Sequence, residues 1–340
     1  MKAQDIRRFR EALLTWYHKE KRDLPWRKAN DPYHIWISEV MLQQTKVDTV
    51  IPYYEKFIEA YPTLPDMAAA DEEHVLKNWE GLGYYSRARN LHAGVKEVVE
   101  RYNGSLPTTR EEISSIRGIG PYTAGAILSI AYQVPEHAVD GNVMRVLSRV
   151  LFIEEDIAKP KTKKIFEEAV MELIDRHDPS GFNQGLMELG ATICTPTKPS
   201  CLLCPINDVC EAFSRGLQET LPIKTKKTKA LSQQWNVLVV ENEHGELLME
   251  KRQSKGLLAN MWQFPMMDPN ELDVSMFAEK MTLKHVFSHL IWELNVFYVK
   301  ANDLHMKADG VWKSADEIEK LPKAVPMIKI WDAYKKENVG

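Results

Sequence analysis

From Ile6 to about Phe213, apolar residues return every three or four positions, the period of helices that each bury one face. The pattern predicts helices over 35–47, 51–61, 73–79, 88–101, 122–132, 143–152 and 164–176. Another lies in the first 21 residues, where Ile6, Phe9, Leu13, Leu14 and Tyr17 share a stripe. Gly, Pro, Asn and Asp mark turns at 31–32, 62–65, 103–104, 118–121 and 178–181. After a stretch carrying Lys224, Lys226, Lys227 and Lys229 the period changes. Runs at 235–240 and 246–251 are β-prone and flank a hairpin loop, Asn242-Glu243-His244-Gly245. A further strand is expected at 294–299, and helices at 314–320 and 325–334. The expected organisation is a helical domain at 1–215, a basic linker at 216–233 and an α+β domain at 234–340.

Composition narrows the class. At 44% hydrophobic and 27% charged residues the chain can bury a core, which excludes a disordered polymer. No apolar run reaches the length of a bilayer span, and the N-terminal stripe lacks the continuous apolar centre of a secretion signal. The expectation is a cytoplasmic protein without a membrane partner. A net charge of −4 offers no general attraction for a polyanion, so any nucleic-acid contact must come from a local basic surface. The lysines at 224–229 are one candidate, and equally a solvated linker.

All four cysteines lie in one stretch, Cys194, Cys201, Cys204 and Cys210, a C-x6-C-x2-C-x5-C pattern. Thiolates this close can converge on one soft metal centre. Two disulfides would be crowded and out of place in a reducing compartment. Structural zinc is the alternative, although zinc sites more often pair two short C-x2-C turns.

Residues 113–131 read as helix, hairpin Gly118-Ile119-Gly120-Pro121, then helix. The two glycines let the backbone turn tightly and leave amides uncovered at a helix N-terminus, where a phosphate oxygen fits. An ordinary interhelical turn would have the same sequence. Asp140, ahead of Gly141-Asn142-Val143, is placed as an N-cap, and amide dipoles there would hold it ionised. Glu39 has Ile35, Trp36, Leu42 and Gln43 as helical neighbours, so it shares an apolar face. It is either a glutamate reaching water from the edge of a buried stripe or a carboxyl with a raised pKa, able to donate a proton. A protonatable Glu39 and an ionised Asp140 would together suit cleavage of a glycosidic bond.

The 6-2-5 cysteine spacing and the hairpin followed by Asp140 both resemble the endonuclease III superfamily of DNA repair glycosylases. Leu24-Pro25-Trp26-Arg27, Ser38-Glu39-Val40-Met41-Leu42-Gln43-Gln44-Thr45, Gly81-Leu82-Gly83-Tyr84-Tyr85 and Asp140-Gly141-Asn142-Val143 look more narrowly like the adenine DNA glycosylase (MutY) family. The resemblance implies a mainly α helix–hairpin–helix domain with a 4Fe-4S cluster loop, plus an α+β Nudix-like domain. By it Glu39 is the general acid and Asp140 the stabiliser or nucleophile, with Tyr122 and Asn142 supporting the sugar. Arg22, Trp26 and Gln184 would line an adenine pocket. Gln44 and Tyr84, with Leu82 beside them, would wedge into the duplex, and Thr45 would touch the opposing lesion. Gly118, Gly120 and Lys198 would bind phosphates. Cys194, Cys201, Cys204 and Cys210 would hold the cluster, which in this family is not the catalyst.

Relatives that also cut the backbone carry a lysine just after the hairpin; here Tyr122 stands there, so a monofunctional enzyme is expected. The second domain resembles a Nudix fold, with Trp262-Gln263-Phe264-Pro265 in the expected place, but 266–281 lacks the acidic run that would hold magnesium. Phe287, Ser288 and His289 match the family's 8-oxoguanine-reading loop. The implied partner is double-stranded DNA containing 8-oxoguanine opposite adenine, bound by a monomer associated with the nucleoid. A damage sensor without chemistry would keep hairpin and cluster but need only one carboxylate. A nucleotide hydrolase would need the missing acidic run.

Overall fold

A computed structural model describes residues 1–225, 230–271, 274, 276–304 and 310–338. Three of the four linker lysines, at 226, 227 and 229, lie outside them. In chain order the helices are α1 (Ala3–Glu20), α2 (Pro32–Leu42), α3 (Val47–Ala60), α4 (Leu64–Ala69), α5 (Glu72–Asn78), α6 (Ser86–Tyr102), α7 (Arg110–Ser115) and α8 (Pro121–Tyr132). They continue with α9 (Gly141–Val150), α10 (Thr162–Leu173), α11 (Pro179–Thr192), α12 (Glu211–Ser214), α13 (Ala315–Lys320) and α14 (Val325–Asn338). Strands are β1 (Leu231–Glu241), β2 (Leu247–Lys251), β3 (Trp262–Gln263), β4 (Met266–Met267), β5 (Glu279–Val286), β6 (Leu290–Lys300) and β7 (Val311–Lys313). Packing divides the chain into two compact units: 1–69 with 90–226, and 70–89 with 227–340. Among the described residues no helix is long and apolar enough to cross a membrane.

In the first unit α2 and α8 pack against each other and are buried almost all round, which is why neither shows a polar stripe in the sequence. A second cluster joins Phe9 and Leu13 of α1 to Val143, Val146 and Leu147 of α9 and to Phe182 and Leu186 of α11. At roughly 1.5–3 kcal/mol for each large side chain removed from water, these contacts fix the helices around the site.

Three expectations from the sequence are corrected. The helix expected over 35–47 ends at Leu42, because Gln43 leaves helical backbone and Gln44 turns left-handed at φ 58°. The turn expected at 62–65 runs directly into α4, with Asp66 accepting from the Thr63 amide at 3.1 Å. The turn expected at 178–181 is the start of α11. Asp178 caps the Gly181 amide at 2.7 Å, and Pro179 stands at the first helical position, where its missing N–H costs nothing.

The second unit is a mixed sheet in the order β3-β2-β1-β6-β5, with β4 on β1 and β7 on β2. The central pair β1 and β6 is parallel, in register from Leu231↔Leu290 to Glu241↔Lys300. The β-prone run at 237–240 is apolar at every position because both faces are covered. Val237 and Val239 pack with Phe264, Trp292 and Trp331, while Leu238 and Val240 pack with Phe297 and Val299. The expected hairpin closes at Gly245, φ 76°, with Asn242 Oδ1 accepting from the amides of His244 and Glu246 at 2.9 Å each. Ser314 and Glu317 form a capping box on α13. Residues 70–89 are tied into this unit by Asn260 donating to Glu72 at 2.6 Å, Trp262 to Glu73, and the Lys323 amide to Glu80 at 2.7 Å.

Candidate active site

Helices α2, α8, α9 and α11 converge on a cavity of about 400 Å³ in the first unit. Nine of the residues singled out in the sequence line it: Arg22, Trp26, Glu39, Gln44, Thr45, Tyr122, Asp140, Asn142 and Gln184. Glu39 and Asp140 therefore share one pocket, although one sits mid-helix on α2 and the other caps α9.

Glu39 is 6% exposed. Burial pushes its pKa up from 4.5 to about 7; the Tyr122 hydroxyl, which donates to Oε2, works against this, and the Asp140 charge adds to it. This burial favours the reading as a carboxyl with a raised pKa over that of an edge residue reaching water. Burial and the two nearby carboxylates hold the Tyr122 phenol protonated, and its hydroxyl also lies 3.1 Å from Met187 Sδ.

Asp140 is the N-cap the sequence suggests, accepting from the Val143 amide at 2.8 Å and from Asn142 Nδ2 at 2.8 Å. The structure qualifies the expectation that the helix end alone keeps it ionised. Burial raises its pKa, and the Val143 and Asn142 hydrogen bonds only oppose that rise. Asn142 is fixed in turn by Arg145 Nη2, 2.8 Å from Oδ1; the same nitrogen donates to Gly190 O at 2.8 Å, and Nε to Cys194 O at 2.8 Å. Gly190 is what admits this packing, since a Cβ there would lie 2.6 Å from the Asn142 Cβ.

Among the lining residues with no role assigned from the sequence are Glu188, Arg27 and Met187. Glu188 is 1% exposed, yet its pKa is lowered. Burial alone would raise it. Arg22 donates to it from Nε at 2.6 Å and from Nη2 at 3.0 Å, and Arg27 from Nη2 at 2.8 Å, and together these win. Arg22 thus faces the cavity as one arm of a fixed ionic triad. Glu188 and Met187 were missed because α11 was read as opening in a turn; the Asp178-Pro179 start signal was the clue available. Trp26 is buried on a 3-10 turn with its ring edge-on to Tyr54.

At the hairpin Ile119 is buried while Gly118 and Gly120 are exposed. Gly118 requires its lack of a side chain: φ is 84°, and a Cβ would meet Asn90 O at 2.9 Å. A Cβ at Gly120, which is exposed, would meet nothing within 4 Å, so the approach to α8 is open at this turn. The four cysteines line a second cavity, with Arg149 Nη1 donating to Cys194 Sγ at 3.2 Å. Burial is the main cause that raises Cys201 and Cys210, and it takes Cys204 to about 12. Among the described residues no three His, Cys, Asp or Glu are drawn tightly enough to hold a single ion. Lys198 is exposed in the same loop, with φ 51°.

The remaining candidates lie in the second unit. Tyr84, Phe287, Ser288 and His289 line a pocket of about 520 Å³, with Tyr84 Oη 3.2 Å from Ser288 Oγ. Phe287 is wedged edge-on between His285 and Trp292. Leu82 is buried, so its side chain offers no surface to a duplex in this conformation.

Residues 37–174 match the family described as HhH-GPD superfamily base excision DNA repair protein, and 236–333 match the NUDIX domain. The adenine DNA glycosylase of Schizosaccharomyces pombe is 33% identical, across 93% of this chain and 87% of its own length. That of Buchnera aphidicola is 30% identical across 97% of both chains. Among solved structures, a thermostable thymine-DNA glycosylase superposes with a TM-score of 0.56 at 28% identity, over 62% of this chain and 98% of its own. With likeness of this extent running through both units, the chain belongs to the adenine DNA glycosylase family of base excision DNA repair proteins.

Proposed function

We propose that this chain is a monofunctional glycosylase that hydrolyses the N-glycosidic bond of adenine opposite 8-oxoguanine in double-stranded DNA. The observation that carries the reading is a buried carboxyl poised near pH 7, Glu39, facing the same cavity as Asp140. Glu39 gives its proton to adenine N7. The bond from C1′ to N9 then breaks with its electron pair leaving on the base, and positive charge develops on the sugar. Asp140, steadied by Val143 and Asn142, faces that charge, which favours its ionised form against burial. Water adds at C1′ and its proton is lost to the site. Tyr122 orients Glu39. Gln44, exposed in left-handed backbone, and Tyr84, 44% exposed, are the side chains offered to an opened duplex.

No lysine is among the described residues lining the cavity, which supports hydrolysis without a Schiff base. Gly118, Gly120 and Lys198 hold phosphates in this reading, and Ser288 and His289 read the lesion. The 6-2-5 spacing of Cys194, Cys201, Cys204 and Cys210, all four lining one cavity, favours a 4Fe-4S cluster over zinc. When bound, such a cluster supplies soft thiolate bonding that fastens the loop, not a step of the reaction. We assign the chemistry to the unit of 1–69 and 90–226 and lesion reading to that of 70–89 and 227–340, in place of the division into 1–215, 216–233 and 234–340 expected from the sequence.

A duplex with a single 8-oxoguanine opposite adenine tests this. Strand breaks that need hot alkali are expected; breaks without alkali would remove the monofunctional assignment, and preferred attack on another base would remove the substrate.

A further inference from the structure

The segment between α8 and α9, residues 133–140, has no regular structure, yet it must deliver Asp140 to the cavity. Arg110, the first residue of α7, reaches it. Its Nη1 donates to Glu136 Oε2 at 3.2 Å, while Nη2 donates to Pro121 O at 3.1 Å and lies 3.2 Å from His137 Nε2. Burial and the adjacent Arg110 charge push His137 down to about 4, so its ring is neutral and Nε2 accepts. Pro121 opens α8 directly after the hairpin glycines. One guanidinium therefore bridges the hairpin helix and the loop that ends at Asp140.

The opposite side of the loop is tied as well. Fully buried Asn183 donates to Glu136 O at 2.8 Å and accepts from the Ala138 amide at 3.3 Å. Gly125 lets α8 press on the same loop, since a Cβ there would meet His137 O at 1.8 Å and Arg110 Nη1 at 3.1 Å. Local preference argues against an arginine at this position, because a cation at a helix N-terminus opposes the dipole. The Arg110–Glu136 pair is also partly exposed, at 27% and 22%, so it adds little stability by itself. What the arginine supplies is a two-sided fork.

We propose that Arg110 is a positioning residue that holds the phosphate-binding hairpin in register with Asp140. DNA seated on the hairpin then presents its sugar at the right distance from the carboxylate. This rests on the glycosylase reading above and deepens it. Displacing a reacting group by about 1 Å costs on the order of 100-fold in rate, so loosening one of two ties should cost about tenfold.

The test pairs single-turnover excision, on a duplex with 8-oxoguanine opposite adenine, with equilibrium binding to the same duplex made uncleavable by a 2′-fluorine on the target sugar. Arg110→Gln should excise about tenfold more slowly while its affinity changes less than about twofold. Arg110→Lys, keeping the charge but not the fork, should fall between it and the wild type. Glu136→Gln should lose a few-fold, and it decides the matter if Arg110→Gln does not fold. An unchanged excision rate in the variants, or loss of affinity at an unchanged rate, would overturn the register role. Failure of the wild-type protein to excise adenine would instead sink the glycosylase reading.

Discussion

The cavity of the first unit gathers Glu39, Asp140 and Glu188 with Arg22 and Arg27, and each carboxyl has a pKa displaced by its surroundings. The pocket of the second unit is somewhat larger, about 520 Å³ against about 400 Å³, yet no carboxylate is among its described lining residues. It offers Tyr84, Ser86, Ser288, His285 and His289 as polar edges and Arg89 as a cation, with Phe287 as an aromatic face. The first arrangement suits moving a proton, because a dry carboxyl and fixed opposite charges make small displacements of charge costly or favourable. The second suits telling one base edge from another, for which neutral donors on a loop suffice. In the proposed reading, chemistry and lesion reading are separated by where carboxyls are buried: in the lining of the first cavity and not among the described lining residues of the second.

The largest effect should come from removing that proton. Glu39→Gln keeps the side chain's shape and the partner for Tyr122 but cannot protonate adenine. Single-turnover excision should fall by about 10³-fold, within the range for general acids, with binding of uncleavable duplex retained. In the wild type the rate should decline as pH rises through about 7, where Glu39 loses its proton. Excision by the variant within tenfold of wild type would take Glu39 out of the mechanism and erase the contrast between the two pockets.

The same burial predicts a smaller effect on stability. Because the folded pKa is about 7 against 4.5 when exposed, the folded state holds a proton that the unfolded chain releases. Stability associated with this group is therefore complete below pH 4.5 and is lost as pH rises through 7. At about 1.4 kcal/mol per unit, the ceiling on that loss is ~3 kcal/mol. Denaturant unfolding should show Glu39→Gln gaining on the wild type between pH 5 and 8 by up to that amount. Equal pH dependence in the two proteins would mean that the cavity is wet and that Glu39 is not poised.

How far the sequence foretold this site depended on whether its signals were local. Asp140 as a cap, the hairpin glycines and the Asn242–Gly245 turn were legible because backbone conformation and the next few residues decide them. Glu39 stood out because it is the one acid of α2, set among Ile35, Trp36 and Leu42. For Glu188 only the helix was legible, from its Asp178-Pro179 start, and not the burial of the acid. Its role depends on Arg22 and Arg27, more than 160 residues away, and its own neighbours give no reason to expect a buried acid. Strand β5 was overlooked although Met281, Leu283 and His285 alternate with exposed residues; only its first three residues fall within 266–281, which was weighed for acids. The assignment of 70–89 to the second unit follows from contacts such as Asn260 with Glu72, which no period in either segment announces.

The smallest effect tests the other side of the comparison. The Ser288 hydroxyl lies 3.2 Å from Tyr84 Oη in a pocket with no shifted carboxyl, so its contribution should appear in discrimination and not in chemistry. Ser288→Ala removes one neutral hydrogen-bonding group, worth about 1 kcal/mol. The preference for adenine opposite 8-oxoguanine over adenine opposite guanine should shrink by roughly fivefold, read from the ratio of kcat/KM values. The single-turnover rate on adenine opposite guanine should stay within about twofold, because that pair has no lesion edge to lose. If both substrates slow together, the second unit's pocket contributes to catalysis itself, and the division of labour drawn from the two linings is wrong. If only the lesion pair slows, a hydroxyl far in sequence from Glu39 sets which adenine is attacked without touching how it leaves.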